Sequence, residues 1–159
     1  MHKEYTAQAQ KVLSVAKTIA KKWNHPYVGT EHLLLALQKE FTGVAGQVLA
    51  MHHVEEGKIS KIIEELVAPI EEVKRNRISY SPRLEFLLDN AKSEAVRQRS
   101  EKIGTEHMLL AMMKDADCVA TRILVTLNVD LAKMQEDILE TVGLNPKEYY
   151  EESYETGHA

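Results

Sequence analysis

Gly29-Thr30-Glu31-His32 runs straight into Leu33-Leu34-Leu35-Ala36-Leu37, and the string returns as Gly104-Thr105-Glu106-His107 ahead of Met108-Leu109-Leu110-Ala111-Met112. From position 29 to position 104 the offset is 75, and the same offset applies outward in both directions without a gap. It pairs Tyr5 with Tyr80, Leu13 with Leu88, Ala16-Lys17 with Ala91-Lys92, Val44-Ala45 with Val119-Ala120, Leu49 with Leu124, Val54 with Val129 and Ile63 with Ile138. About a third of the paired positions are identical, as a duplicated supersecondary unit should be. The chain therefore reads as two copies of one unit.

Each copy is helical. In the first, Tyr5, Ala9, Val12, Leu13, Ala16, Ala20 and Trp23 fall at spacings of three and four, one stripe of a helix, with Thr6 as N-cap and Pro26 as stop. In the second, Tyr80, Leu84, Leu87, Leu88, Ala91 and Ala95 repeat the stripe behind Ser81 and Pro82. Thr30 and Thr105 read as N-caps of helices apolar nearly all round, which places those helices at the centre of their units. A short third helix carries Val44, Ala45, Val48 and Leu49, matched by Val119, Ala120, Ile123 and Leu124. A fourth carries Ile59, Ile62, Ile63 and Leu66, matched by Met134, Ile138 and Val142. Glu55 and Asp130 put acid in its first turn, and Gly143 closes the last helix. No alternating stretch predicts a strand. The expectation is an all-α domain over 1–143, two pseudo-twofold four-helix repeats (4–68 and 79–143, about eight helices) joined by a polar linker, 69–78. From Leu144 the chain turns acidic and aperiodic, and 144–159 reads as a flexible tail.

Composition narrows the function classes. At 159 residues, 44% hydrophobic and 28% charged, the chain is an ordinary globular domain. A net charge of −4 argues against nucleic acid, because phosphate backbones want a positive face; the basic cluster Lys74, Arg75, Arg77 and Arg83 is small and surrounds the linker. The single Cys118 excludes an internal disulfide and fits a reducing, cytoplasmic setting. No apolar run approaches membrane-spanning length. A zinc protease would need two His one turn apart, and here the residues after Glu-His are Leu or Met. No phosphate-binding Gly-rich loop ending in Lys and Ser/Thr is present, so no nucleotide hydrolysis is expected of this chain. Two readings of the repeated motif remain. In the first it simply starts a helix, with Thr capping, an exposed first-turn Glu and a sealing His. Its full repetition instead points to a further constraint, and a carboxylate at a helix start is well placed to receive a guanidinium.

Two gapless copies of a four-helix unit, each with Gly-Thr-Glu-His and Leu-Leu-Ala, resemble the N-terminal domain of the Clp ATPases. Thr6, Ala9, Lys11-Val12-Leu13, Ser81-Pro82-Arg83 and Val119-Ala120-Thr121-Arg122-Ile123-Leu124 follow the same pattern, most similar to the ClpC branch. That resemblance implies a module with no catalytic activity or cofactor of its own, ATP belonging to the ATPase domains. It implies partners: substrate proteins, adaptor proteins, the ATPase domains and, through them, a barrel protease, but neither nucleic acid nor membrane. In that branch such domains recognise phosphorylated arginine, a degradation mark. The guanidinium partner maps to Glu31 and Glu106, and the phosphate donors to Thr6 and Ser81, then Thr30 and Thr105, with Tyr5 and Tyr80 beside them. Two alternatives stand beside it: a module that binds only adaptors or exposed hydrophobic segments, and a small metal-dependent hydrolase built on the Glu/His pairs.

Overall fold

The computed structural model describes residues 4–69 and 77–149; Lys74, Arg75, most of the linker 69–78 and the tail beyond 149 lie outside them. Eight helices follow in the order expected: α1 (Ala7–Lys22), α2 (Thr30–Lys39), α3 (Val44–Met51) and α4 (Glu56–Leu66), then α5 (Pro82–Arg97), α6 (Thr105–Lys114), α7 (Val119–Thr126) and α8 (Leu131–Thr141). Among the described residues no strand forms, only two isolated β-bridges. None of the helices there is long and apolar enough to cross a membrane.

The sequence chemistry sets the boundaries. Thr6 Oγ1 accepts from the Ala9 amide at 3.1 Å and Ser81 Oγ from the Leu84 amide at 3.1 Å, so α1 and α5 start with the same cap. Asp130 caps α8 in the same way, through the Lys133 amide at 3.1 Å. The turns after α1 and α5 pass through Asn24 and Arg99, and those after α3 and α7 through His53 and Asn128, all at positive φ and paired by the repeat. Gly143, at φ +81°, ends α8 where a residue with a Cβ would be strained.

α2 and α6 are the axles. Leu33, Leu34, Leu35 and Leu37 in the first, and Met108, Leu109, Leu110 and Met112 in the second, are at most 2% exposed. The remaining helices pack round them into one core shared by both repeats, with α2 against α7 and α3 against α6 and α8. The entry segments cross over. Val28 bridges to Tyr80, and Tyr5 to Ile103, each pair parallel. The chain ahead of α5 is thereby sewn to the chain ahead of α2, and the chain ahead of α1 to that ahead of α6.

The tail expectation needs correction. Residues 146–149 form one further helical turn, and Tyr149 is buried. Its hydroxyl donates to Glu94, which also pairs with Lys114, and the Arg97 guanidinium stacks 3.9 Å from its ring centroid. A single aromatic residue anchors the segment against the second repeat, which a composition window averages away.

Candidate functional site

Each Gly-Thr-Glu-His string is locked by four different contacts. The N-caps of α2 and α6 are Gly29 and Gly104, one residue before the threonines expected there. The Gly29 amide donates to His32 Nδ1 at 2.8 Å and the Gly104 amide to His107 Nδ1 at 2.9 Å, so the histidine closes the helix start from inside. Nδ1 being an acceptor, the ring proton sits on Nε2. His32 Nε2 then meets His25 Nδ1 at 2.7 Å, while His107 Nε2 meets Gln98 Oε1 at 3.1 Å and Ser100 Oγ at 3.3 Å. Burial, and then the neighbouring His25, push His32 down to about 3, so it is neutral near pH 7. With both ring nitrogens engaged inside the protein, neither His32 nor His107 has an atom left for a metal, which disfavours the hydrolase reading.

The threonines cap the other repeat. Thr30 Oγ1 accepts from the Ala120 amide of α7 at 3.1 Å, and Thr105 Oγ1 from the Ala45 amide of α3 at 3.2 Å. The N-caps of α3 and α7 are Gly43 and Cys118, whose side chains make no capping bond, so each helix takes its cap from across the pseudo-twofold. The glycines make room. A Cβ on Gly29 would overlap Glu31 Oε1, and one on Gly104 would overlap Glu106 Oε1. Backbone φ near −104° is ordinary at both, so it is the folded-back carboxylate that excludes a side chain.

Those carboxylates are not the exposed first-turn acids expected. Glu31 is 7% exposed and the Glu106 side chain 17%. Burial raises both above the ordinary carboxylate value, partly offset by each residue's own backbone amide. Among the described residues neither forms an ion pair with Lys or Arg. The nearby imidazole nitrogens, 3.8 Å and 3.4 Å away, already accept an amide proton and supply no positive charge.

Each carboxylate borders a cavity where three helices begin. The Glu31 cavity, about 300 Å³, lies among the starts of α2, α5 and α7 and is lined by Thr30, Ser81, Arg83, Asp117 and Cys118. The Glu106 cavity, about 150 Å³, lies among the starts of α6, α1 and α3, with Thr6, Gln8, Thr42 and Thr105. The β-bridges dictate this pairing: Ser81 donates its amide to Val28 O at 2.8 Å and Thr6 to Ile103 O at 2.9 Å. One cavity per copy was the natural expectation, yet each is assembled from both. Thr6, Ser81, Thr30 and Thr105 thus sit beside the glutamates. Tyr5 and Tyr80 hold the bridges just outside, half-buried, and are not among the lining residues. Sequence reasoning missed the placement of Arg83 and Cys118 beside Glu31; the glycine present at the same position in both copies was the available signal that something presses on the helix start.

The Clp repeat (R) N-terminal domain family matches residues 4–127 and 79–157. The ClpC/MecB negative regulator of genetic competence of Bacillus subtilis (strain 168) is 34% identical over 145 residues, 91% of this chain and 18% of that protein. The chain spans less than a fifth of the length of the curated relatives it matches, 17–18%. The N-terminal domain of Hsp104 from Candida albicans superposes with a TM-score of 0.76 at 17% identity, over 89% of this chain and 93% of that one. The ClpV N-domain solved as a complex with VipB peptide gives 0.68 at 18%, over 86% and 85%. The matched region is a non-catalytic N-terminal module, so this chain alone is not an enzyme. With a family match across both repeats and the shared fold, the chain belongs to the Clp repeat N-terminal domain family.

Proposed function

We propose that this domain docks substrate and adaptor proteins onto a ClpC-type unfoldase, and that its two cavities hold phosphorylated arginine side chains. The observation that carries the reading is a pair of carboxylates, Glu31 buried and Glu106 largely so, without a cationic partner among the described residues, each facing a cavity ringed by helix starts. A guanidinium entering there supplies the missing counter-charge and lowers the carboxyl pKa that burial has raised. The phosphate beside it meets first-turn amides and the hydroxyl protons of Ser81 or Thr6, whose lone pairs alone are used in capping. Arg83, lining the Glu31 cavity, adds a cation. A relative's N-domain seen with a peptide supports docking as the general role. The ATPase domains, their ATP and a barrel protease would lie beyond this chain, in the rest of the parent protein.

Calorimetric titration with free phosphoarginine, against arginine and phosphoserine controls, tests this directly. Saturation near two per chain, abolished in Glu31→Gln/Glu106→Gln, is the expected result. No binding by the folded wild type would leave a module for adaptors or hydrophobic segments alone, for which exposed Phe41 and Phe86 are the obvious contacts.

A further inference from the structure

The two cavities correspond by the repeat, but their walls do not. Pro26, Tyr27 and Val67 line the Glu31 cavity. Their counterparts Glu101, Lys102 and Val142 are absent from the lining of the Glu106 cavity, which keeps only shared positions, among them Gln8, Thr42 and Val44, equivalent to Arg83, Asp117 and Val119. Glu101 and Lys102 are exposed and charged, whereas Tyr27 is a large ring left 53% exposed directly before the helix start that carries Glu31. The Glu31 cavity is also about twice as large, 300 Å³ against 150 Å³.

We infer that the Glu31 cavity is a two-part site that reads the residue two positions from the arginine mark, while the Glu106 cavity reads the mark alone. This rests on the function proposed above. The occupant of the second part is an apolar side chain of the same extended peptide whose arginine meets Glu31. Carboxylate and apolar wall border one continuous cavity, and in an extended chain, rising ~3.3 Å per residue, side chains two positions apart share a face, so the mark and the residue two positions from it fall within one cavity's width. The wall is uncharged; Arg83 and Asp117, which supply the rest of the charge in that lining, are left to the mark. A serine or glycine at that position gains nothing from Tyr27 and Val67, and a leucine covers both.

The experiment uses two phosphoarginine peptides differing only at the residue two positions from the mark on either side, leucine or serine, titrated onto Glu106→Gln and Glu31→Gln so that each cavity is read by itself. On Glu106→Gln the leucine peptide should bind about tenfold tighter, the scale of partial burial of one apolar side chain. Adding Tyr27→Ser, an exposed position that leaves the core intact, should erase that preference, and Glu31→Gln should show none. Equal affinity of the two peptides at the Glu31 cavity, or a preference that survives Tyr27→Ser, overturns the inference while leaving the docking function standing. Failure of both peptides and of free phosphoarginine to bind the wild type overturns the function and the inference together.

Discussion

Where the second repeat carries Thr121, the first carries Gly46, and the two residues satisfy the same contact in opposite ways. A Cβ on Gly46 would run into the Glu40 carbonyl and stand 3.0 Å from that of Leu37, so α3 lies directly on the end of α2. In the second repeat α7 keeps its side chain, and Thr121 Oγ1 donates at 2.6 Å to the carbonyl of Met112, the counterpart of Leu37. Likewise Glu94, which takes Lys114 and the Tyr149 hydroxyl, stands where the first repeat has Ile19. His52 and Asp137, 2.7 Å apart across the α3–α8 contact, stand where Leu127 and Ile62 are packed against the core. Contacts inside the second repeat, and the contact between the repeats at His52 and Asp137, have diverged, and they diverge together with their partners. What has stayed identical is the reciprocal lock: Gly-Thr-Glu-His on one side, and Val44-Ala45 or Val119-Ala120, which receive its threonine, on the other.

The comparison is tested hardest at the two axles. Leu34→Ala and Leu109→Ala remove equivalent, fully buried side chains and should each cost roughly 2–5 kcal/mol in urea denaturation. Costs differing by more than that range would show that the repeats do not share one core. Gly46→Ala should cost about 1–3 kcal/mol, because the added methyl meets backbone that cannot swing aside. Thr121→Ala at the matching position should cost only about 1 kcal/mol, the loss of its hydrogen bond to the Met112 carbonyl and a weaker one with Cys118. Equal losses at the two positions would refute the idea that they fill the contact differently.

Stability should also depend on pH, with two opposing parts. His32, depressed from 6.5 to about 3, prefers to be neutral in the folded chain. Its contribution is complete above about pH 6.5 and is lost as pH falls towards 3, at up to about 1.4 kcal/mol per pH unit. Glu31 and Glu106, raised by burial, act in the other direction: protonation favours the folded state, and their charge weakens it once pH passes the ordinary carboxylate value. Glu31→Gln/Glu106→Gln should therefore raise the urea midpoint at pH 7, with the gain fading towards pH 4. A lower midpoint at pH 7 would mean that the carboxylates hold the helix starts together.

Most of the helical plan was legible because apolar spacing is a local property and the repeat checks it twice. Thr6 and Ser81 cap as their positions suggest, since a cap reaches only three residues along the chain, and Asp130, read as a first-turn acid, is itself the cap of α8. The site was legible only in its residues. That Thr30 bonds an amide 90 residues away, or that Ser81 belongs with Glu31, depends on the crossed entry segments, which no window of sequence contains. Gly29 reads as a flexible turn residue, and its real duty, leaving space for a carboxylate, exists only once Glu31 folds back. Tyr149 was hidden by its acidic neighbours, although Glu94 in an apolar stripe was a sign that something polar would be buried there.

The exchanged threonine caps make the chain a fused homodimer. Each repeat leaves its own third helix uncapped at its start until the other supplies a threonine, and the entry segment of each is held by one isolated bridge to the other repeat. Severing the connection within 70–76 would thus yield two halves that are each other's missing ligand, folding on encounter and only weakly alone. An ancestral single repeat meeting its own twin across a twofold axis would already have possessed both cavities, and fusion then freed them to become unlike.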